Sequence, residues 1–346
     1  MRKPRYRREL WSDAPARVRG CGCLRKKVPS MPGRIVFGPV PSRRLGRSLG
    51  INNIPPKACS YGCVYCQVGP TGKRNTQRQA FYDPQEILQQ VTSLLDALRQ
   101  RGEPVDWLSF VPDGEPTLDI HLAETIDLLR PLGLPIAVIS NASLVWMQEV
   151  RFALAKADWL SLKVDAVDSD VWRRVNGPAP RLHLPDILNG ILAMAQEFRG
   201  TLTTETLLVS GVNDSAASVE AVADYLTGVH PSVAYLAAPT RPPADHRVRP
   251  PDELSLTRAY ETMSARLPRV EYLINYEGNS FACTGEVEQD LLAIAAVHPV
   301  REDALRELLA KAGAGWDLVE GLISAGALRA VDHGGHRFYL RILRTD

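Results

Sequence analysis

From residue 46 onward, short β-rich runs alternate with longer helical patterns, and this alternation limits the fold of the 346-residue chain more than any other feature. Repeated βα units pack as a parallel sheet with helices laid against it. Six strands are predicted, at 48–52 (SLGIN), 105–111 (VDWLSFV), 135–140 (PIAVIS), 159–164 (WLSLKV), 203–209 (TTETLLV) and 232–238 (SVAYLAA). Between them lie helical stretches such as 84–101, where Ile87, Leu88, Val91, Leu94, Leu95 and Leu98 recur at three and four to give one apolar face. Asp83 before Pro84 reads as an N-cap followed by proline in the first turn. Further helical stretches at 118–132, 144–157, 184–198, 216–229 and 253–267 continue the pattern. We expect an α/β protein built on a partial (β/α)6 TIM-like barrel, although a doubly wound open sheet would give a similar string. The proline-rich stretch 238–251 should be an irregular loop.

Past Gly278 the pattern changes to three short helical segments, 286–297, 301–312 and 316–325, followed by strands at 327–331 and 336–340. The glycines of Asp332-His333-Gly334-Gly335 permit a tight hairpin between those strands. Three helices and a hairpin describe a small C-terminal winged helix-turn-helix domain. The expected organisation is a basic, disordered extension over 1–33, the barrel over 34–280 and the winged helix over 281–346. The extension stands out by charge: residues 1–30 hold ten Lys/Arg against two Asp/Glu, leaving 31 against 37 in the remainder. A basic tail is a nucleic-acid arm or a solvated segment, and charge alone argues only for nonspecific attraction. No stretch reaches the roughly 18 apolar residues of a membrane helix, and the N-terminus has no secretory apolar block. A cytoplasmic protein that does not engage membranes is expected.

Six cysteines are too few and too unevenly placed for a disulfide framework. Three of them, Cys59, Cys63 and Cys66, form a C-x3-C-x2-C run directly after the first predicted strand, a spacing that wraps one loop around a metal centre. A structural zinc needs four ligands, and the only other thiol outside the tail is Cys283, more than two hundred residues away. Three thiolates suit a 4Fe-4S cube, with one iron left free to bind a small molecule. Zinc and reactive thiols are the competing readings. Cys283 itself reads as packing, and Cys21 with Cys23 as too close-spaced for a second cluster.

The segment, including Tyr65 just before the last cysteine, resembles the cluster loop of the radical S-adenosylmethionine superfamily. That resemblance implies a 4Fe-4S cluster on Cys59, Cys63 and Cys66 whose open iron chelates S-adenosylmethionine. It further implies reductive cleavage to a 5′-deoxyadenosyl radical that takes hydrogen from substrate, and an electron donor of flavodoxin or ferredoxin type. Gly114 and Glu115, in a Pro-Asp-Gly-Glu-Pro turn after the second predicted strand, resemble the Gly-Glu motif that holds the methionine amino group. Over residues 34–346 the chain resembles a subgroup related to the wyosine-forming tRNA enzymes. Those enzymes carry further N-terminal cysteines for a second cluster, whereas this chain has only Cys21 and Cys23 there.

Other candidates lie at strand ends, where βα barrels place their sites. Ser140 and Asn141 are placed to hydrogen-bond the ribose or carboxylate. Lys163 is either a carboxylate ligand or a salt-bridge partner of Asp165, and both are counted as cofactor-binding. The run 210–214 is a nucleoside contact or a plain loop with an N-cap. Arg43 and Arg44 suit phosphate or carboxylate recognition or a solvated loop, and Arg241 is placed to face substrate. His298, His333 and His336 read as turn residues. The leading function is radical modification of a substrate in the barrel mouth, either a peptide or protein or a tRNA base, with the winged helix as a docking module. The alternative is an Fe-S redox-sensing DNA-binding regulator. Against it, the helix at 316–325 has two acids and no Lys/Arg, so DNA is not an expected partner.

Overall fold

The computed structural model describes residues 35–274, 281, 286–297 and 299–342. Cys21, Cys23, Cys283 and His298 lie outside the described residues, as does the basic extension.

Eight strands form one sheet in sequence order: β1 (Val36–Ser42), β2 (Gly46–Ile51), β3 (Trp107–Phe110), β4 (Ile136–Ser140), β5 (Trp159–Lys163), β6 (Thr201–Leu207), β7 (Val233–Ala237) and β8 (Val270–Leu273). The hairpin pair β1–β2 is antiparallel, and every pair from β2 to β8 is parallel. β8 does not pair with β1, so the barrel is partial, as the alternation implied. It holds one more parallel strand than the six read from sequence, β8, together with the antiparallel β1. β1 contains Pro39 and Pro41 and a register shift between Phe37 and Val40, features tolerated on an edge strand but foreign to a strand signature.

The helices α1 (Pro84–Gln100), α2 (Leu122–Leu129), α3 (Gln148–Leu154), α4 (Ser169–Asn176), α5 (Leu184–Glu197), α6 (Ala216–Val229) and α7 (Glu253–Ser264) fill the crossovers. In α1 the stripe Ile87, Val91, Leu94, Leu95 and Leu98 is buried, each such side chain contributing roughly 1.5–3 kcal/mol of transfer free energy. Asp83 caps α1 by accepting from the Gln85 N–H. No regular element occupies 238–251.

The C-terminal residues build a second core, including Leu291, Ile294, Leu305, Leu308 and Val319. It lies between α8 (Val287–Val297), α9 (Glu302–Ala312), α10 (Asp317–Ser324) and a three-stranded antiparallel sheet of β9 (Val300–Arg301), β10 (Leu328–His333) and β11 (His336–Arg341). The β10–β11 turn is Gly334–Gly335 with φ of 56° and 77°, flanked by the paired His333 and His336. On the barrel side, Ala293 of α8 packs against Phe37 of β1. Among the described residues no helix is long and apolar enough to cross a membrane.

Candidate active site

The cysteine loop leaves β2 at the carboxyl end of the sheet and is sewn to the end of α4. Gly62 N–H donates to the carbonyls of Asn176 and Gly177, Val64 N–H to that of Val175, and Ala179 N–H to that of Ser60. Beneath it, the Trp172 indole donates to the Tyr61 hydroxyl at 3.1 Å, with the two rings edge to face. Cys59, Cys63 and Cys66 are free, half-buried thiols, and all three border one cavity of about 300 Å³. No group of three or more His, Cys, Asp or Glu among the described residues is drawn together into a metal-holding cluster.

The chemistry of the donor set fits an iron–sulfur cluster. Three soft thiols come from one short loop, and side-chain amides stand at two of them, with Asn141 Nδ2 at 3.6 Å from Cys59 Sγ and Asn176 Nδ2 at 3.5 Å from Cys63 Sγ. N–H donors to sulfur are among the groups that tune such clusters. Burial pushes the Cys63 thiol up to about 12, with the Asp165 charge adding to it, and pushes Cys59 up as well. Thiols held this way ionise when a metal takes their charge.

The Asp113-Gly114-Glu115 turn lies against the residues just before Cys59. Lys57 N–H donates to the Asp113 carbonyl at 3.1 Å and Glu115 N–H to the Ala58 carbonyl at 3.0 Å. Gly114 is required there, because a Cβ would meet Ala58 O at 2.0 Å. Gly114→Ala is therefore expected to destabilise the cofactor-free protein by about 2–3 kcal/mol, a fall in Tm of roughly 3–5 °C. An unchanged melting curve would show that the loop can yield. Glu115 is fully buried, and its Oε1 accepts from the Thr117 N–H and hydroxyl and from the Ser140 hydroxyl, while Oε2 accepts from the Asn141 N–H. Burial raises its carboxyl despite those bonds. Asp113 and Gly114 border the cavity, as does Asn141, which also donates to the Ser60 hydroxyl at 3.1 Å. Burial pushes the Asp113 carboxyl up to about 6.

Lower in the barrel, Lys163 pairs with Glu205 at 2.7 Å, and Arg44 binds the other Glu205 oxygen at 2.7 Å. Arg44 stands over the rings of Trp159 and Tyr235, and the Lys163 ammonium lies 4.9 Å from the centre of the Tyr65 ring. Burial alone would raise Glu205, but the Lys163 and Arg44 cations overcome it and hold the carboxyl at about 2. Burial alone would lower Lys163, and Glu205 with Asp165 instead hold it above its usual value. Beneath this charged layer Leu45, Ala137, Trp159, Val233 and Tyr235 plug the barrel with apolar contact.

The salt-bridge partner of Lys163 is thus Glu205, not Asp165. Asp165 is buried behind the cavity wall, with its carboxylate accepting from the Tyr65 hydroxyl, Asn176 and the Leu207 N–H. In the 210–214 run, Asn213 ties Asp165 O and Leu207 O together, and Gly211 N–H donates to Asp214, which is the plain-loop reading of that segment. Arg241 reaches Gln67 of the cysteine loop, and Arg43 donates to Tyr272 O on β8. Glu205 was absent from the sequence reading. Its signal is a lone acid among threonines and leucines in a strand buried on both faces.

The model of the Radical SAM superfamily matches residues 53–225. The UPF0026 protein of Methanocaldococcus jannaschii is 40% identical over 313 residues, covering 90% of this chain and 97% of its own length. That of Helicobacter pylori (strain J99) is 36% identical over 211 residues, covering 60% of this chain and 67% of its own. Among solved structures, a radical SAM methyltransferase from Sphaerobacter thermophilus aligns with a TM-score of 0.49 at 19% identity, over 66% of each chain.

Proposed function

The chain belongs to the radical SAM superfamily, and from that premise we propose that it reductively cleaves S-adenosylmethionine and abstracts hydrogen from a substrate seated in the barrel mouth. Enzymes of this superfamily work with a 4Fe-4S cluster and S-adenosylmethionine. When bound, these supply a 5′-deoxyadenosyl radical, while the protein supplies geometry and exclusion of water. Cys59, Cys63 and Cys66 hold the cluster. Asn141 and Asn176 donate toward two of the sulfurs. Tyr65 and Lys163 border the cavity, with Asp165 behind Tyr65 and Ser140 behind Glu115, and the Arg44–Glu205–Lys163 layer gives the cavity a floor of fixed charge that water does not need to solvate. The apolar plug beneath closes the barrel to solvent.

The observation that carries this reading is the convergence of all three cysteines on one cavity with the buried Lys163–Glu205 pair. The substrate is a peptide or protein or a tRNA base, with the C-terminal helices and hairpin, read as a winged helix, docking it. Electrons come from a flavodoxin- or ferredoxin-type donor in the cytoplasm. Anaerobic reconstitution should load iron near four per chain, and dithionite should then yield 5′-deoxyadenosine from S-adenosylmethionine, measured by chromatography. Zinc in place of iron, or no 5′-deoxyadenosine from iron-loaded protein, contradicts the proposal. Duplex-DNA binding that responds to cluster oxidation would instead support the regulator.

A further inference from the structure

Lys57 stands two residues before Cys59 with a backbone φ of 66°, in the left-handed region that a lysine adopts only where its surroundings impose it. Two bonds hold it there. Its N–H donates to the Asp113 carbonyl at 3.1 Å, and its ammonium donates to the carbonyl of Val68, two residues past Cys66. One residue thus ties the two ends of the cysteine run together. Gly69 leaves room for the contact, since a Cβ there would stand 3.1 Å from the Lys57 ammonium.

A strap does not need a full positive charge. Lys57 is half-buried, and burial works against its ionised form. Its ammonium is spent on a neutral carbonyl rather than on a carboxylate, and Arg329 of β10 adds a second cation that acts on it. The groups that favour its charge are Cys66 first, then Asp113 and Cys59. A cation kept out of water calls for negative charge close by, and thiolates that hold an iron–sulfur cluster supply it. Resting on the radical SAM reading, we propose that Lys57 is a positioning residue of the cysteine loop, whose fixed positive charge balances the loaded cluster and eases its one-electron reduction. It ligates nothing. One electron from a flavodoxin- or ferredoxin-type donor adds one negative charge beside the ammonium and requires no proton. Net charge is among the quantities that set the potential of such clusters.

The test is a potentiometric titration of anaerobically reconstituted wild type, Lys57→Met, Lys57→Gln and Lys57→Arg, followed by electron paramagnetic resonance of the reduced cluster, with iron content measured on the same samples. Loss of the charge in Lys57→Met should disfavour reduction by about tenfold, a fall in midpoint potential of about 59 mV for one electron. Lys57→Gln, which keeps an N–H donor for the loop, should fall alike, and Lys57→Arg should stay within about threefold of wild type. The signal comes from loaded protein alone, so partial loading leaves the midpoint readable. Neutral variants that take up no iron beside a fully loaded Lys57→Arg would support the proposal, since charge is what separates them. It is overturned if Lys57→Met and Lys57→Gln keep the wild-type midpoint, if Lys57→Arg falls as far as they do, or if all three variants fail to load iron, which would leave Lys57 a strap of the loop. Wild type that takes up zinc, or gives no one-electron signal with dithionite, fails the radical SAM reading itself, which is a separate result.

Discussion

Reconstituted Cys63→Ala is expected to retain little iron and to release 5′-deoxyadenosine at a rate lower by on the order of a thousandfold than wild type. Three thiols are the minimum protein ligation for a cube that keeps one iron open, and removing one leaves two irons without protein donors. Cys63 is the instructive choice because its environment resists a thiolate. Burial first, then the Asp165 charge, pushes it up to about 12, while the Asn176 amide stands at 3.5 Å from the sulfur. A free thiol in that setting is a poor nucleophile and an inert packing group, so the reactive-thiol reading predicts little change on its removal. Iron analysis and the product assay on the same preparation separate these outcomes. Cys283→Ser, which removes the remaining thiol outside the tail, should keep its iron. An iron-loaded, fully active Cys63→Ala would refute the ligand assignment.

Periodicity made the parallel barrel legible because six of its strands are apolar runs bounded by turn residues and followed by helices with a clear apolar stripe, as in α1. β1 escaped because Gly38, Pro39 and Pro41 interrupt it, and its strand character comes from pairing with β2 and from α8 packing on Phe37. β8 is only four residues long, and the eight-residue α4 has Asp170, Arg173 and Arg174 crowding its exposed face, so neither is among the elements that the periodicity predicts. At the site, the cysteine run was legible as a motif, and the Gly-Glu turn was legible through resemblance. The hydrogen bonding of Glu115 by Ser140 and Asn141 was not, since it depends on what those residues reach from a different strand. The choice of Glu205 over Asp165 as the partner of Lys163 has the same origin. Lys163 and Glu205 are cross-strand neighbours in the β5–β6 register, a relation that local sequence does not reveal.

Glu205→Gln should lower the melting temperature by roughly 5–8 °C at pH 7, because it leaves Lys163 and Arg44 charged and largely buried without their counter-ion, a loss of about 3–5 kcal/mol. The three side chains are 11–18% exposed, so solvent screens them little. The pH dependence gives an independent check. The folded carboxyl titrates at about 2, below the ordinary glutamate value near 4.3 in an unfolded chain. Its contribution is therefore fully present above about pH 5 and is lost as pH falls through 2. The gap in Tm between wild type and Glu205→Gln should narrow over that window. Asp113 and Glu115, both raised by burial, titrate alike in the two proteins and cancel in the difference. Adding Lys163→Met to Glu205→Gln should restore part of the stability, since the buried Lys163 ammonium is then gone and a thioether fills much of its volume. A double variant no more stable than Glu205→Gln alone would mean that Arg44, and not Lys163, is the cation Glu205 chiefly serves. In either case, cleavage of S-adenosylmethionine should fall with Lys163→Met even where stability returns, because Lys163 borders the cavity that the cysteines share.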